Sequence, residues 1–219
     1  MIIVNTKAYK EGIGRNAIKL AKIMENIENE YGVEMAIAVQ PSDIYISNHV
    51  SIKVFAQHID AIEFGSHTGW ILPEAIKEAG ASGTLINHSE HTMKIEEVEK
   101  IINRARNIGL KTVACASNIA ITKAIACLSP DYVAIEPPEL IGGDVSVTKA
   151  KPSIVKKAVE EVKKIDKKIK VLCGAGIKNG KDVKKAIELG TDGILVASGI
   201  VKAKDKEKVL KEMASSFTL

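Results

Sequence analysis

Three kinds of side chain stand at the ends of apolar, β-branched runs in this chain, and together they suit one kind of chemistry. Glu136 closes the run DYVAIE, His88 follows TLIN, and Lys7 stands two residues past IIVN. A carboxylate, an imidazole and an ammonium can move a proton on a carbon beside a carbonyl. That step needs a base, an electrophile for the developing enediolate oxygen, and positive charge. Glu136 is the candidate base, although an acid at a strand end also caps or pairs with its neighbours. The segment after it favours catalysis. Pro137-Pro138 and Gly142-Gly143 bracket Glu139, Leu140 and Ile141; proline restricts the entry, glycine frees the exit, and the tip can close over a ligand as a lid.

His88 enters a turn ahead of a helix beginning near Thr92. Local N–H dipoles there should disfavour its charged form, leaving a neutral imidazole able to donate to a carbonyl oxygen. Taken alone, His88 also reads as a core histidine bonded to backbone. Lys7 would reach the same space as a cation beside an anionic substrate, with Asn5 holding its neighbours in place. No metal is expected, because of the five histidines only His88 and His58 lie near strand ends and no carboxylate has ligand spacing with them. A Schiff-base lysine would have to sit inside a strand end facing the axis, and no strand candidate has one.

Two further segments suit a phosphate. Gly174-Ala175-Gly176 and Ala197-Ser198-Gly199 end two successive apolar runs, and their small side chains leave backbone N–H groups open. Either alone is an ordinary turn; the pair, after adjacent strands, is the signal.

These groups meet only if their strands are brought together. Strand patterns run over 2–5, 34–40, 52–58, 83–88, 111–117, 131–136, 169–174 and 192–198. Helical spacing appears near 15–30, 42–48, 73–79, 94–108, 118–127, 152–164, 179–189 and 204–215. Gly32, Gly80, Gly109 and Gly190 fall at helix ends, and Pro73 and Pro152 in first turns. Eight βα units without a composition break predict a single α/β domain over residues 1–219, an eight-stranded parallel closed sheet. In such a (β/α)8 barrel the strand C-termini share one mouth, so Asn5, Lys7, Gln40, Gln57, His58, Asn87, His88, Ser89, Glu90, Ser117, Glu136 and both glycine loops converge there.

Composition excludes several other classes. With 46% hydrophobic and 26% charged residues the chain can build a large core. Its formal charge of +4 is spread over mixed helices such as KIEEVEK, and only 4% of residues are aromatic, so nucleic acid is not implied. No apolar run has membrane length. The start, MIIVNTKAY, lacks export features, which places the protein in the cytoplasm. Cys115, Cys127 and Cys173 read as free thiols that need no functional role.

The stretches NTK at 5–7, NHSE at 87–90 and AIEPPELIGG at 134–143 resemble, in order and spacing, three signatures of the triosephosphate isomerase family. FGSHTGWILPEAIKEAGASGTLINHSEH is similar to that family's third loop through fourth strand. The resemblance covers essentially the whole chain and is strongest to the compact archaeal branch. It implies a TIM barrel that interconverts dihydroxyacetone phosphate and D-glyceraldehyde 3-phosphate, without cofactor, in glycolysis and gluconeogenesis. Glu136 would be the base, His88 the neutral electrophile, and Asn5 and Lys7 the family's N-x-K, with Ser89 and Glu90 in support. Ile141, Gly142, Gly176, Ala197 and Ser198 would bind the phosphate, mainly through backbone N–H groups. Thr68 would lie in a loop that many members insert into a partner subunit. A homo-oligomer is implied, a tetramer in the archaeal branch, with a dimer as the other possibility. The chain departs from the commonest pattern at Pro138-Glu139-Leu140, usually Val-Trp-Ala. It also departs at Gly176 (often serine), His91 (often arginine) and Ala197-Ser198 (a glycine pair).

Overall fold

The computed structural model describes residues 1–137 and 152–217. Its eight strands are β1 (Ile2–Asn5), β2 (Met35–Val39), β3 (Lys53–Ala56), β4 (Gly83–Ile86), β5 (Lys111–Ala116), β6 (Tyr132–Ile135), β7 (Lys170–Cys173) and β8 (Gly193–Val196). They pair in sequence order, all parallel, and β8 returns to β1 with Ile2 beside Ile194, so the sheet is a closed barrel as predicted. The helices between them are α1 (Arg15–Tyr31), α2 (Pro73–Glu78), α3 (Ile95–Asn107), α4 (Ile119–Ala126), α5 (Pro152–Ile165), α6 (Gly180–Glu188), α7 (Ser198–Val201) and α8 (Lys206–Ser215).

Both faces of each strand are covered, which is why the strands read as short continuous apolar runs. The two-residue period then sorts them. Ile3, Ala36, Ala38, Phe55, Leu85, Val113, Cys115, Ala134, Leu172 and Leu195 fill the barrel interior. Their neighbours Ile2, Val4, Ile37, Val54, Ile86, Val133, Val171 and Ile194 face the helical layer. The helices answer with stripes at 3.6 spacing: α3 buries Val98, Ile101, Ile102 and Ala105. At the end of α1, Gly32 takes φ +67 and its N–H bonds to the Glu28 carbonyl, a left-handed cap that turns the chain toward β2.

The structure departs from the sequence pattern in two respects. Residues 42–48, predicted as an ordinary helix, form a 3-10 helix over Pro41–Asn48. Three residues per turn aligns Asp43 with Ile46 on the buried side. There the Asp43 carboxylate also accepts the Gly14 N–H at 3.0 Å. Several strands stop short of their apolar runs at the mouth: β3 at Ala56, β4 at Ile86 and β8 at Val196. Past β4 and β8 the backbone turns, with Asn87 at φ +55 and Ala197 at φ −128, ψ −94, whereas Gln57 past β3 still donates its N–H to the Val39 carbonyl at 3.1 Å.

Barrel closure leaves no room at Gly193. A Cβ there would lie 2.2 Å from the Met1 carbonyl oxygen and 3.1 Å from Leu172 Cδ2. Because the first contact is backbone, Gly193→Ala should cost about 3 kcal/mol in chemical denaturation; a loss below about 1 kcal/mol would contradict this closure.

Candidate active site

The C-terminal mouth gathers residues from distant parts of the chain. One cavity is lined by Asn5, Lys7, His88, Glu136, Gly176, Ala197 and Ser198. Seven of the residues singled out from sequence therefore meet, and Glu90 joins them through Lys7. Ile141 and Gly142, with the lid segment 138–143, lie outside the described residues.

Glu136 follows β6 directly, and its N–H bonds to the Ala116 carbonyl of β5 at 2.8 Å. The residue is 3% exposed. Burial pushes its pKa up to about 7, against a smaller downward pull from the Cys115 thiol hydrogen bond and the Lys7 charge. Gly174 packs against it so closely that a Cβ there would stand 2.5 Å from Glu136 Cγ. Among the described residues, Oε2 of Glu136 has no hydrogen-bond partner. A carboxylate that is dry and not fully satisfied is a strong base toward whatever enters the cavity.

His88 Nε2 lies 3.6 Å from that same Oε2. On the other side of the ring, Nδ1 accepts the Glu90 N–H at 3.1 Å. In the neutral ring, Nδ1 is thereby the acceptor and Nε2 carries the proton toward the cavity. Burial, then the Lys7 charge, lowers the His88 pKa to about 4. Its neutrality thus has a different origin from the one the sequence suggested: α3 begins only at Ile95, and the dominant cause is loss of solvent.

Lys7 carries φ +48, a conformation that is strained for a lysine. The neighbours hold it there. Its N–H donates to Asn5 Oδ1 at 2.9 Å, its carbonyl accepts from Gln57 Nε2 at 3.0 Å, and Nζ pairs with Glu90 Oε1 at 2.8 Å. At the opposite side, Gly176 (φ +69) and the first residues of α7 present the small-residue lining read from the sequence. His58 lines a neighbouring cavity of the mouth with Asn5, Lys7, His88 and Glu90. It stacks on His91 with ring centroids 4.0 Å apart and bonds to Asp60 at 3.1 Å. Among the described residues, no three His, Cys, Asp or Glu side chains converge in a way that could hold a metal ion.

Sequence reasoning missed Cys115, whose thiol faces the Glu136 carboxyl. Its parity with the inward Val113 in KTVACA was the available signal. Tyr9 and Lys178 also line the cavity, and nothing in their spacing set them apart.

A closed β/α barrel whose mouth gathers a buried carboxyl, a neutral imidazole and an ammonium beside a small-residue lining suits a proton-transferring isomerase. Comparison with known proteins makes this specific. The family model described as triosephosphate isomerase matches residues 1–213. The triosephosphate isomerase of Methanocaldococcus jannaschii is 51% identical over 97% of this chain and 98% of its own length. Those of Methanothermus fervidus (50%, over 99% and 98%) and Archaeoglobus fulgidus (48%, over 97% and 96%) are similarly close. The chain belongs to the triosephosphate isomerase family. It is an aldose-ketose isomerase, interconverting dihydroxyacetone phosphate and D-glyceraldehyde 3-phosphate.

The raised Glu136 pKa has a thermodynamic consequence. An acid whose folded pKa lies above its unfolded value contributes stability below the unfolded pKa and loses it as pH rises through the folded one. For Glu136 the window is from 4.5 to about 7. His88, lowered from 6.5 to about 4, acts in the opposite sense over an overlapping range, so the parent alone does not separate them. Glu136→Gln does. Its stability should match the parent near pH 4 and exceed it by up to about 3 kcal/mol above pH 7; equal stability at pH 8 in urea titrations would refute the burial cost.

Proposed function

We propose that Glu136 is the base, His88 the electrophile and Lys7 the fixed cation of this isomerisation. The observation that carries the reading is the 3.6 Å approach of His88 Nε2 to a Glu136 Oε2 that has no hydrogen-bond partner among the described residues, inside the cavity that Lys7 lines. The Glu136 carboxylate takes a proton from C1 of dihydroxyacetone phosphate while electrons move onto the C2 carbonyl oxygen, giving an enediolate. Returning the proton to C2 yields the aldehyde. Neutral His88 donates from Nε2 to the developing oxyanion and shuttles a proton between the two oxygens. Lys7 offsets the negative charge, and Asn5 and Glu90 position it through the bonds already described.

Gly176, Ala197 and Ser198 would hold the phosphate through backbone N–H groups, joined on the family resemblance by Ile141 and Gly142. This chemistry asks for no metal or organic cofactor. We propose further that residues 1–219 form one barrel domain, that the enzyme serves glycolysis and gluconeogenesis in the cytoplasm, and that it is a homo-oligomer, a tetramer by likeness to the archaeal branch. Exposed apolar side chains in the third loop, Phe64 at 74% and Trp70 at 58%, support association. Among the described residues no helix is long and apolar enough to cross a membrane.

Glu136→Gln should lower turnover of glyceraldehyde 3-phosphate about 10³-fold with KM changed little. In the parent, kcat/KM should fall tenfold per pH unit below about 7, where Glu136 becomes protonated. Full turnover in the variant would sink the assignment of the base.

A further inference from the structure

We propose that Asn87 is a positioning residue that fixes His88 relative to Glu136 by anchoring the His88 loop to the end of β5, the strand that also holds the Glu136 backbone. The inference rests on the reading that these two side chains act together.

Asn87 is the first residue past β4, and it takes φ +55, where a non-glycine residue is disfavoured unless something holds it. That turn takes its backbone out of the parallel ladder, whose last registered pair is Ile86 with Ala114. The side chain replaces what the backbone gives up. Nδ2 donates to the Cys115 carbonyl at 3.0 Å, one residue further along β5. Oδ1 accepts the Met93 N–H at 2.9 Å and so closes the 88–93 loop on itself. Within that loop His91 N–H bonds to the His88 carbonyl at 2.7 Å, which makes it a closed turn carrying the imidazole.

The other end of the arrangement uses the same strand. Glu136 N–H bonds to the carbonyl of Ala116, the residue after Cys115, at 2.8 Å. Adjacent carbonyls of β5 therefore hold the imidazole's loop on one side and the carboxylate's backbone on the other. The Cys115 side chain meets the Glu136 carboxyl from the same place. The 3.6 Å gap between Nε2 and Oε2 is set by these two anchors and not by a direct bond. Among the described residues, Asn87 makes no hydrogen bond to the phosphate side, where Gly176, Ala197 and Ser198 follow β7 and β8. Its loss should thus disturb proton transfer while leaving phosphate affinity alone.

Two variants separate this from general weakening. Asn87→Gly accommodates φ +55 and removes both side-chain bonds. Asn87→Asp keeps the acceptor for Met93 and replaces the donor to Cys115 with an oxygen. We expect both to fold and to lose about tenfold or more in kcat, with KM for glyceraldehyde 3-phosphate within about twofold of the parent. Phosphoglycolate, whose carboxylate mimics the enediolate, should bind about tenfold more weakly to both, while inhibition by inorganic phosphate stays unchanged. Parental kcat in either variant overturns the proposal. So does a loss of inorganic phosphate affinity as large as the loss of phosphoglycolate affinity, which would mark a structural effect. If the parent itself showed no isomerase turnover, the failure would belong to the reading of the site and not to Asn87.

Discussion

The carboxyl of Glu136 sits where a charge is hard to keep, at the end of β6 against Gly174, with its outer oxygen facing an enclosed mouth. Removing water from it raises its pKa into the neutral range, the strength that the proposed role of lending and recovering a proton near pH 7 asks for. Closing the barrel is what makes this environment. Eight strands, buried on both faces, create a core that excludes solvent up to the level of the strand ends, and the polar side chains begin where the ladder stops.

The remaining charges are arranged so that the Glu136 carboxyl has a cation in range without pairing to it directly. Lys7 spends its ion pair on Glu90, which is half exposed, and so influences Glu136 through space. Glu90 works twice, since its N–H also fixes the His88 tautomer. The cost is backbone strain at Lys7, maintained by Asn5 and by Gln57, whose amide reaches Thr6, Lys7 and Ala38. Strain kept in place by several bonds is common at functional positions.

Much of this was legible in the sequence, for identifiable reasons. Repeated apolar runs and amphipathic helices report burial directly, so the barrel and the strand-end positions of Asn5, Lys7, His88 and Glu136 followed from periodicity. What was not legible depends on side-chain geometry between distant segments. The Gln57 amide looks like any polar residue after a strand until its three acceptors are in view. Cys115 reads as core filling, and only the β5–β6 register, with Cys115 beside Ala134, brings its thiol to Glu136 two residues on. Asn87 looks like a turn residue in NHSE, because the Cys115 carbonyl it bonds lies 28 residues away. The 3-10 helix at Pro41–Asn48 was hidden for a different reason: a single eight-residue segment is too short for 3.0 and 3.6 periods to separate.

The central claim is that desolvation, set by the closed barrel, tunes Glu136. A carbon-13 NMR titration of glutamate carboxyls, with the Glu136 signal assigned by its loss in Glu136→Gln, measures this directly. The account predicts a midpoint near 7. A midpoint near the ordinary value of 4.5 would contradict it.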